Sequence, residues 1–195
     1  MKNLFGIIVL GIVGILLFIG LSVGGWMLGL YNSLVTSNSH VDTAFAAIQS
    51  QYQRRFDLIP NVAEATKAFL QQEQTVFGDI AEARTKYTGS ASGSNEQMQA
   101  MGQYDSALSR LMVIVENYPQ LKSDMTVQAL VDELAGTENA IAVARDRYNE
   151  TVRGYNVQIR SFPANLIAGM YGFQSRSPFQ AEAGAQDAVK INLTK

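Results

Sequence analysis

Between Leu4 and Leu30 the chain runs for 27 residues without a charge, LFGIIVLGIVGILLFIGLSVGGWMLGL. As a helix at 1.5 Å per residue this run extends about 40 Å, against a hydrocarbon core of about 30 Å. It is apolar on every face, which a helix of a soluble core rarely is at this length. It also exceeds the apolar region of a cleaved signal, about 7–15 residues, and no small-residue cleavage site follows it in Tyr31-Asn32-Ser33-Leu34-Val35. Residues 1–30 therefore read as an uncleaved anchor, bounded by Leu4 and Leu30, whose partner is the lipid bilayer. Trp26 and Tyr31 stand near its C-terminal end, where amphipathic rings favour the headgroup layer. Gly20 with Gly24, and Gly25 with Gly29, form small-xxx-small pairs that allow close helix approach; glycine simply tolerated in lipid is the plain alternative. Lys2 precedes the span, and the next Lys or Arg is Arg54. By the positive-inside rule the N-terminus is expected in the cytoplasm and the large domain outside it.

Composition excludes several function classes for the remainder, which is long enough for one domain with its own core. The formal net charge of −2 supplies no basic surface for nucleic acid. The absence of cysteine removes disulfides, thiolate metal sites and a cysteine nucleophile. His40 is the only histidine, so a transition-metal site lacks a second imidazole or thiolate. No GxGxxG, P-loop, GxSxG or HExxH occurs. The expectation is a chain without cofactor, metal or catalytic residues.

Beyond the anchor the apolar pattern has a helical period. Val41, Phe45, Ile48 and Tyr52 step by four, three and four, and Ile59, Leu70, Phe77, Ile80 and Tyr87 continue less regularly. Thr88-Gly89-Ser90-Ala91-Ser92-Gly93-Ser94 is a break. Met101, Tyr104, Leu108, Leu111, Val115 and Tyr118 form a second stripe that stops at Pro119. Leu134, Ile141, Tyr148, Tyr155 and Phe162 recur every seven residues until Pro163. Heptad spacing points to long helices packed side by side. The pattern predicts an all-α fold: the anchor, an elongated antiparallel three-helix bundle over 31–173 with a short C-terminal helical segment, and a flexible tail over 174–195.

A first helix from Tyr31 to Tyr87 would outreach the second, with Tyr118–Met125 non-helical between the second and third. Val41, Phe45, Ile48 and Tyr52 would then project as an uncovered stalk, which predicts self-association into a homo-oligomer or cover by a partner. Pro60 inside that helix predicts a kink or a break, or a new helix capped by Asp57.

Arg54, Arg55, Asp57 and Asn61 on the first helix and Glu138, Asn139, Arg145 and Tyr148 on the third are polar residues beside apolar seams. Asn149, Tyr155 and Asn156 extend the second group. Charges in such places are usually paired and fix register, so an interhelical polar layer is expected, with a binding or active site as the alternative. Ala164–Phe173 is apolar but too short to span a bilayer. It reads either as a helical turn folded onto the bundle or as a docking patch of Phe162, Leu166, Ile167, Tyr171 and Phe173, with Phe179 nearby. Val189–Leu193 reads as a short strand available to a partner.

LYNSLV after the anchor, QRRFDLIPNV at 53–62, NYPQLK at 117–122, ELAGTENAIAVARDRYNETVRGYN at 133–156 and RSFPANLIAGMYGF at 160–173 occur in one order along nearly the whole chain. Together they resemble the LemA family of bacterial membrane proteins; Ala140 and Gly154 depart from its pattern. The resemblance implies a single-pass protein of the bacterial inner membrane with a helical-bundle domain, and it carries over no catalytic residues. It also implies a neighbourhood of membrane metallopeptidases or TPM-type domain proteins. The leading expectation is a non-enzymatic, self-associating scaffold or adaptor of the envelope. The second is an accessory module that presents substrates to, or regulates, a membrane metallopeptidase. The third is a hydrolase using Asp57 or Glu138.

Overall fold

The computed structural model describes residues 2–66 and 74–179. All regular structure among them is helical: α1 Lys2–Thr66, α2 Gln74–Gly89, α3 Asn95–Asn117, α4 Pro119–Lys122, α5 Met125–Arg160 and α6 Ala164–Tyr171. The protein is an all-α bundle with a long apolar N-terminal helix. Leu70, the Val189–Leu193 segment and the Leu4 side chain lie outside the described residues.

Local chemistry sets the helix ends. Ser94 caps α3 by accepting a 3.1 Å hydrogen bond from the Gln97 amide, while Gln97 Oε1 reaches back to the Gly93 N–H at 2.9 Å. This is a capping box shifted by one residue, and Gly93 supplies the φ of +74° that the turn needs. α3 ends where Pro119 forces Tyr118 into extended backbone. Pro119 then opens α4, so the stretch expected to be non-helical contains one short helix. Asp124 Oδ1 accepts from the Thr126 and Val127 amides at the start of α5. α6 closes on Gly172 at φ 74°, with the Phe173 amide bonded to the Ala168 carbonyl at 3.0 Å.

Two compact units make up the chain: Met1–Val41 with Thr151–Arg176, and Asp42–Glu150 with Ser177–Lys195. In the first, the apolar side chains of α1 between Leu10 and Leu28 are exposed around the helix, Phe18 by 72 % and Leu21 by 77 %. This is a helix long and apolar enough to cross a membrane, and none of its apolar window is buried among the described residues. Beyond it Leu34 and Val41 join Val152, Tyr155, Ile159, Ala164, Ile167 and Ala168 in a small core.

In the second unit, α2 turns back along α1. The Tyr87 ring lies 6.1 Å from Tyr52 and 5.0 Å from Phe56. α2 and α3 run antiparallel, tied by Arg110 to Asp79 at 3.0 Å and Lys86 to Gln103 at 3.3 Å. The stripe from Tyr31 to Tyr87 is thus shared by two helices rather than one. A single helix would have left that apolar face in water, and reversal buries Tyr87 on the aromatic rings of α1. Pro60 neither ends α1 nor starts a new helix there. It stands on the exposed side of α1, where its ring meets no packed neighbour helix among the described residues. Asp57 accepts from Gln53 Nε2 at 2.8 Å and caps nothing.

The stalk expectation is corrected here. Val41, Phe45, Ile48 and Tyr52 are at most 4 % exposed, covered by the chain itself. The apolar surface that called for a second copy at this stripe is already spent on intrachain packing.

Candidate functional site

The third heptad stripe carries Leu134, Ile141 and Tyr148 into the core of the second unit. Beside it, α1, α3 and α5 bring charged side chains into that core around one carboxylate, Asp105. Arg55, on α1, is a fully buried arginine. Its Nε donates to Thr137 Oγ1 at 2.8 Å, one terminal nitrogen to Asp105 Oδ1 at 2.8 Å, and the other to Glu138 Oε2. Arg145, one heptad beyond Glu138 on α5, donates to Asp105 Oδ2 at 2.6 Å. The Tyr52 hydroxyl donates to the same oxygen at 2.7 Å and accepts from Arg145. The Thr137 hydroxyl in turn donates a hydrogen bond to the Leu134 carbonyl at 2.7 Å. Two guanidinium groups thus face two carboxylates, Asp105 largely buried and Glu138 exposed, and each of the three guanidinium nitrogens of Arg55 has a partner. Removing two such charges from water costs several kcal/mol per ion, which only close pairing offsets.

Aromatic rings line one side of the cluster, while Glu138 stays open to water. Both guanidinium groups approach the Tyr52 ring, Arg55 at 5.9 Å and Arg145 at 5.7 Å, and Arg145 also lies 5.1 Å from the Phe179 ring. Phe56 meets Tyr104 edge-on at 4.8 Å. Burial pushes the Asp105 carboxyl above the usual carboxylate range, against the pull of Arg145, the Tyr52 hydrogen bond and Arg55. Burial, joined by the Asp105 charge, raises Tyr52 far above an ordinary phenol, and burial raises Tyr104 likewise. Among the described residues, the Tyr104 hydroxyl and Arg145 Nε are buried without a hydrogen-bond partner.

Of the residues expected in a polar layer, Arg55, Glu138 and Arg145 meet here. Arg54 points outward to Glu133 at 2.9 Å, with both side chains substantially exposed. Asp57, Asn61 and Asn139 are exposed and lie outside the cluster. Tyr148 belongs to a separate layer. Its ring packs against Phe45 and Phe179 at 5.5 and 5.6 Å, and its hydroxyl donates to the Ser177 carbonyl at 2.9 Å. Sequence reading missed Asp105, the common partner, and Thr137. The signal for Asp105 was its place directly after Tyr104 on the second stripe, a flanking position from which a charge reaches a neighbouring helix.

The expected loose tail begins with an anchored stretch. The Asn149 amide exchanges two hydrogen bonds with the Phe179 backbone, N–H to Oδ1 at 2.8 Å and Nδ2 to the carbonyl at 3.2 Å. Asn156 does the same with the Arg176 backbone, at 2.9 and 2.8 Å. Arg176 also donates to Asn38 Oδ1. Of the expected docking patch, Ile167 is buried, Phe173 is half-buried, and Phe162, Leu166 and Tyr171 are exposed. Phe162 leaves the heptad seam because α5 has ended at Arg160.

Among the described residues no group of three or more His, Cys, Asp or Glu side chains is placed to hold a metal. His40 stands exposed on α1. An open groove of about 910 Å³ lies between α2 and α3, and its charged residues Asp79 and Arg110, Glu82 and Lys86, are paired with one another.

The LemA family model matches residues 44–193, a span that includes the whole Asp105 cluster and α6. The chain belongs to the LemA family. Magnetosome protein MamQ 2 of Paramagnetospirillum magneticum is 26 % identical, over 82 % of this chain and 68 % of that protein. Magnetosome protein MamQ of Magnetospirillum gryphiswaldense is 25 % identical over 74 % and 62 %, respectively. Protein LemA of Metamycoplasma hominis is 22 % identical over 78 % and 70 %. The family and these relatives agree with the apolar helix in describing a membrane-associated helical protein.

Proposed function

We propose that this protein is a non-enzymatic scaffold or adaptor of the bacterial envelope, held in the inner membrane by α1 with its N-terminus in the cytoplasm. The observation that carries the reading is the Asp105 cluster. Its two arginines and two carboxylates are committed to one another and to three helices. A register lock uses charge in this way, whereas a reactive centre keeps a group poised for substrate. The bundle then offers outer faces for contact, and the exposed Val113 on α3 and Val143 on α5 mark two of them.

The test is photo-crosslinking in intact cells, from probes at Val113 and at Val143 of the full-length chain. A repeatable adduct is expected, and its mass separates a second copy from another envelope protein such as a metallopeptidase. A chain that stays monomeric from both positions counts against the scaffold. Arg145→Ala is the companion experiment. A lock predicts lowered thermal stability, whereas loss of function at unchanged stability would make the cluster a working site.

A further inference from the structure

The first unit places the end of the uncharged run beside α6. The Tyr31 ring, one residue past Leu30, lies 4.7 Å from the Tyr171 ring and 5.9 Å from that of Phe173. Two residues on, Ser33 accepts a 2.8 Å hydrogen bond from Gln158 near the end of α5. These contacts fix the level of α6 along α1, where the apolar segment gives way to Asn32 and Ser33.

α6 has two unlike faces. Ala164, Ile167 and Ala168 are buried against the unit. Leu166 and Met170 are exposed by 57 % and 69 %, and Phe162 at the preceding corner by 81 %. Arg160, exposed at the end of α5, donates from Nε to the Asn156 carbonyl at 2.8 Å. Eight residues cannot cross a bilayer. A short apolar face flanked by an arginine and a tyrosine is instead the composition of a segment lying in the headgroup layer.

We propose that the corner between α5 and α6 is a second membrane contact, in which Phe162, Leu166 and Met170 enter the lipid interface beside the α1 span. Lipid is the occupant because the patch stands at the level where the span itself must leave the bilayer. The inference rests on the reading of α1 as a membrane anchor. The protein would then touch the membrane twice, once across it and once along its surface.

The chain contains no cysteine, so single spin labels report without competition. Ile15→Cys, Arg153→Cys, Leu166→Cys and Met170→Cys are made in the full-length protein. Each is labelled in vesicles of phosphatidylethanolamine and phosphatidylglycerol, and its collisions with oxygen and with a water-soluble nickel chelate are compared. The oxygen-to-nickel ratio is expected to be severalfold higher at positions 166 and 170 than at 153, approaching that at 15. A lipid-like ratio at 15 with water-like ratios at 166 and 170 overturns the second contact and leaves the anchor standing. Shielding of 166 and 170 from both reagents means a protein surface covers them, and that also overturns it. A water-like ratio at 15 overturns the anchor, and the inference with it.

Discussion

Arg54 and Arg55 are neighbours in sequence and opposites in energy. Successive residues on a helix point about 100° apart, so only one of the two can face the core. The side chain of Arg54 is 62 % exposed and pairs with Glu133 in water, an arrangement worth about 0–1 kcal/mol. Arg55 is fully buried and shares Asp105 with Arg145. Asp105→Asn is expected to destabilise the folded chain by about 3–5 kcal/mol, because two arginines then lack their shared charge. Arg54→Ala should change stability by less than about 1 kcal/mol. Urea unfolding of the full chain in detergent, followed by circular dichroism, compares them; equal losses would contradict the assignment. This pair also marks how far the site was legible. Periodicity put Arg55, Glu138 and Arg145 beside a seam, and they meet. It could not separate Arg55 from Arg54, nor Asp105 from the other acids of the second stripe, because that choice is made by the facing helix.

Among the elements, α5 was the most legible. Its heptad core of Leu134, Ile141, Tyr148 and Tyr155 is buried as the spacing predicts. The first helix was less so, since Ala, Gln and Glu fill the region after Thr66 and no breaker announces the reversal into α2. The grip of α5 on residues 176–179 was not legible either. Asn149 and Asn156 hold peptide groups, and a main-chain contact leaves no pattern in the side chains of the segment held. Asn149→Ala is expected to release the Phe179 amide, raising its hydrogen-exchange rate at least tenfold if about 1.4 kcal/mol of local protection is lost. Unchanged exchange at Phe179, read by mass spectrometry or NMR, would show that the ring contacts with Phe45 and Tyr148 suffice.

At the scale of the whole molecule, buried phenols set an alkaline limit. Tyr52 and Tyr104 have folded pKa values above the ordinary 10, chiefly through burial, so the unfolded chain loses these protons first. Their contribution to stability is complete below about pH 10 and declines as pH rises past it. An absorbance titration of phenolate should therefore show two late protons released together with loss of helical signal; smooth titration of all tyrosines before unfolding would refute this. The division into two units has a consequence for biosynthesis. The compact unit containing the apolar segment joins the first 41 residues to Thr151–Arg176. Its small core cannot close until the ribosome has delivered nearly the entire polypeptide. A chain cut before Thr151 would keep the apolar segment yet lack every α5 and α6 side chain of the core that Leu34 and Val41 join, an unfinished state that proteases can recognise.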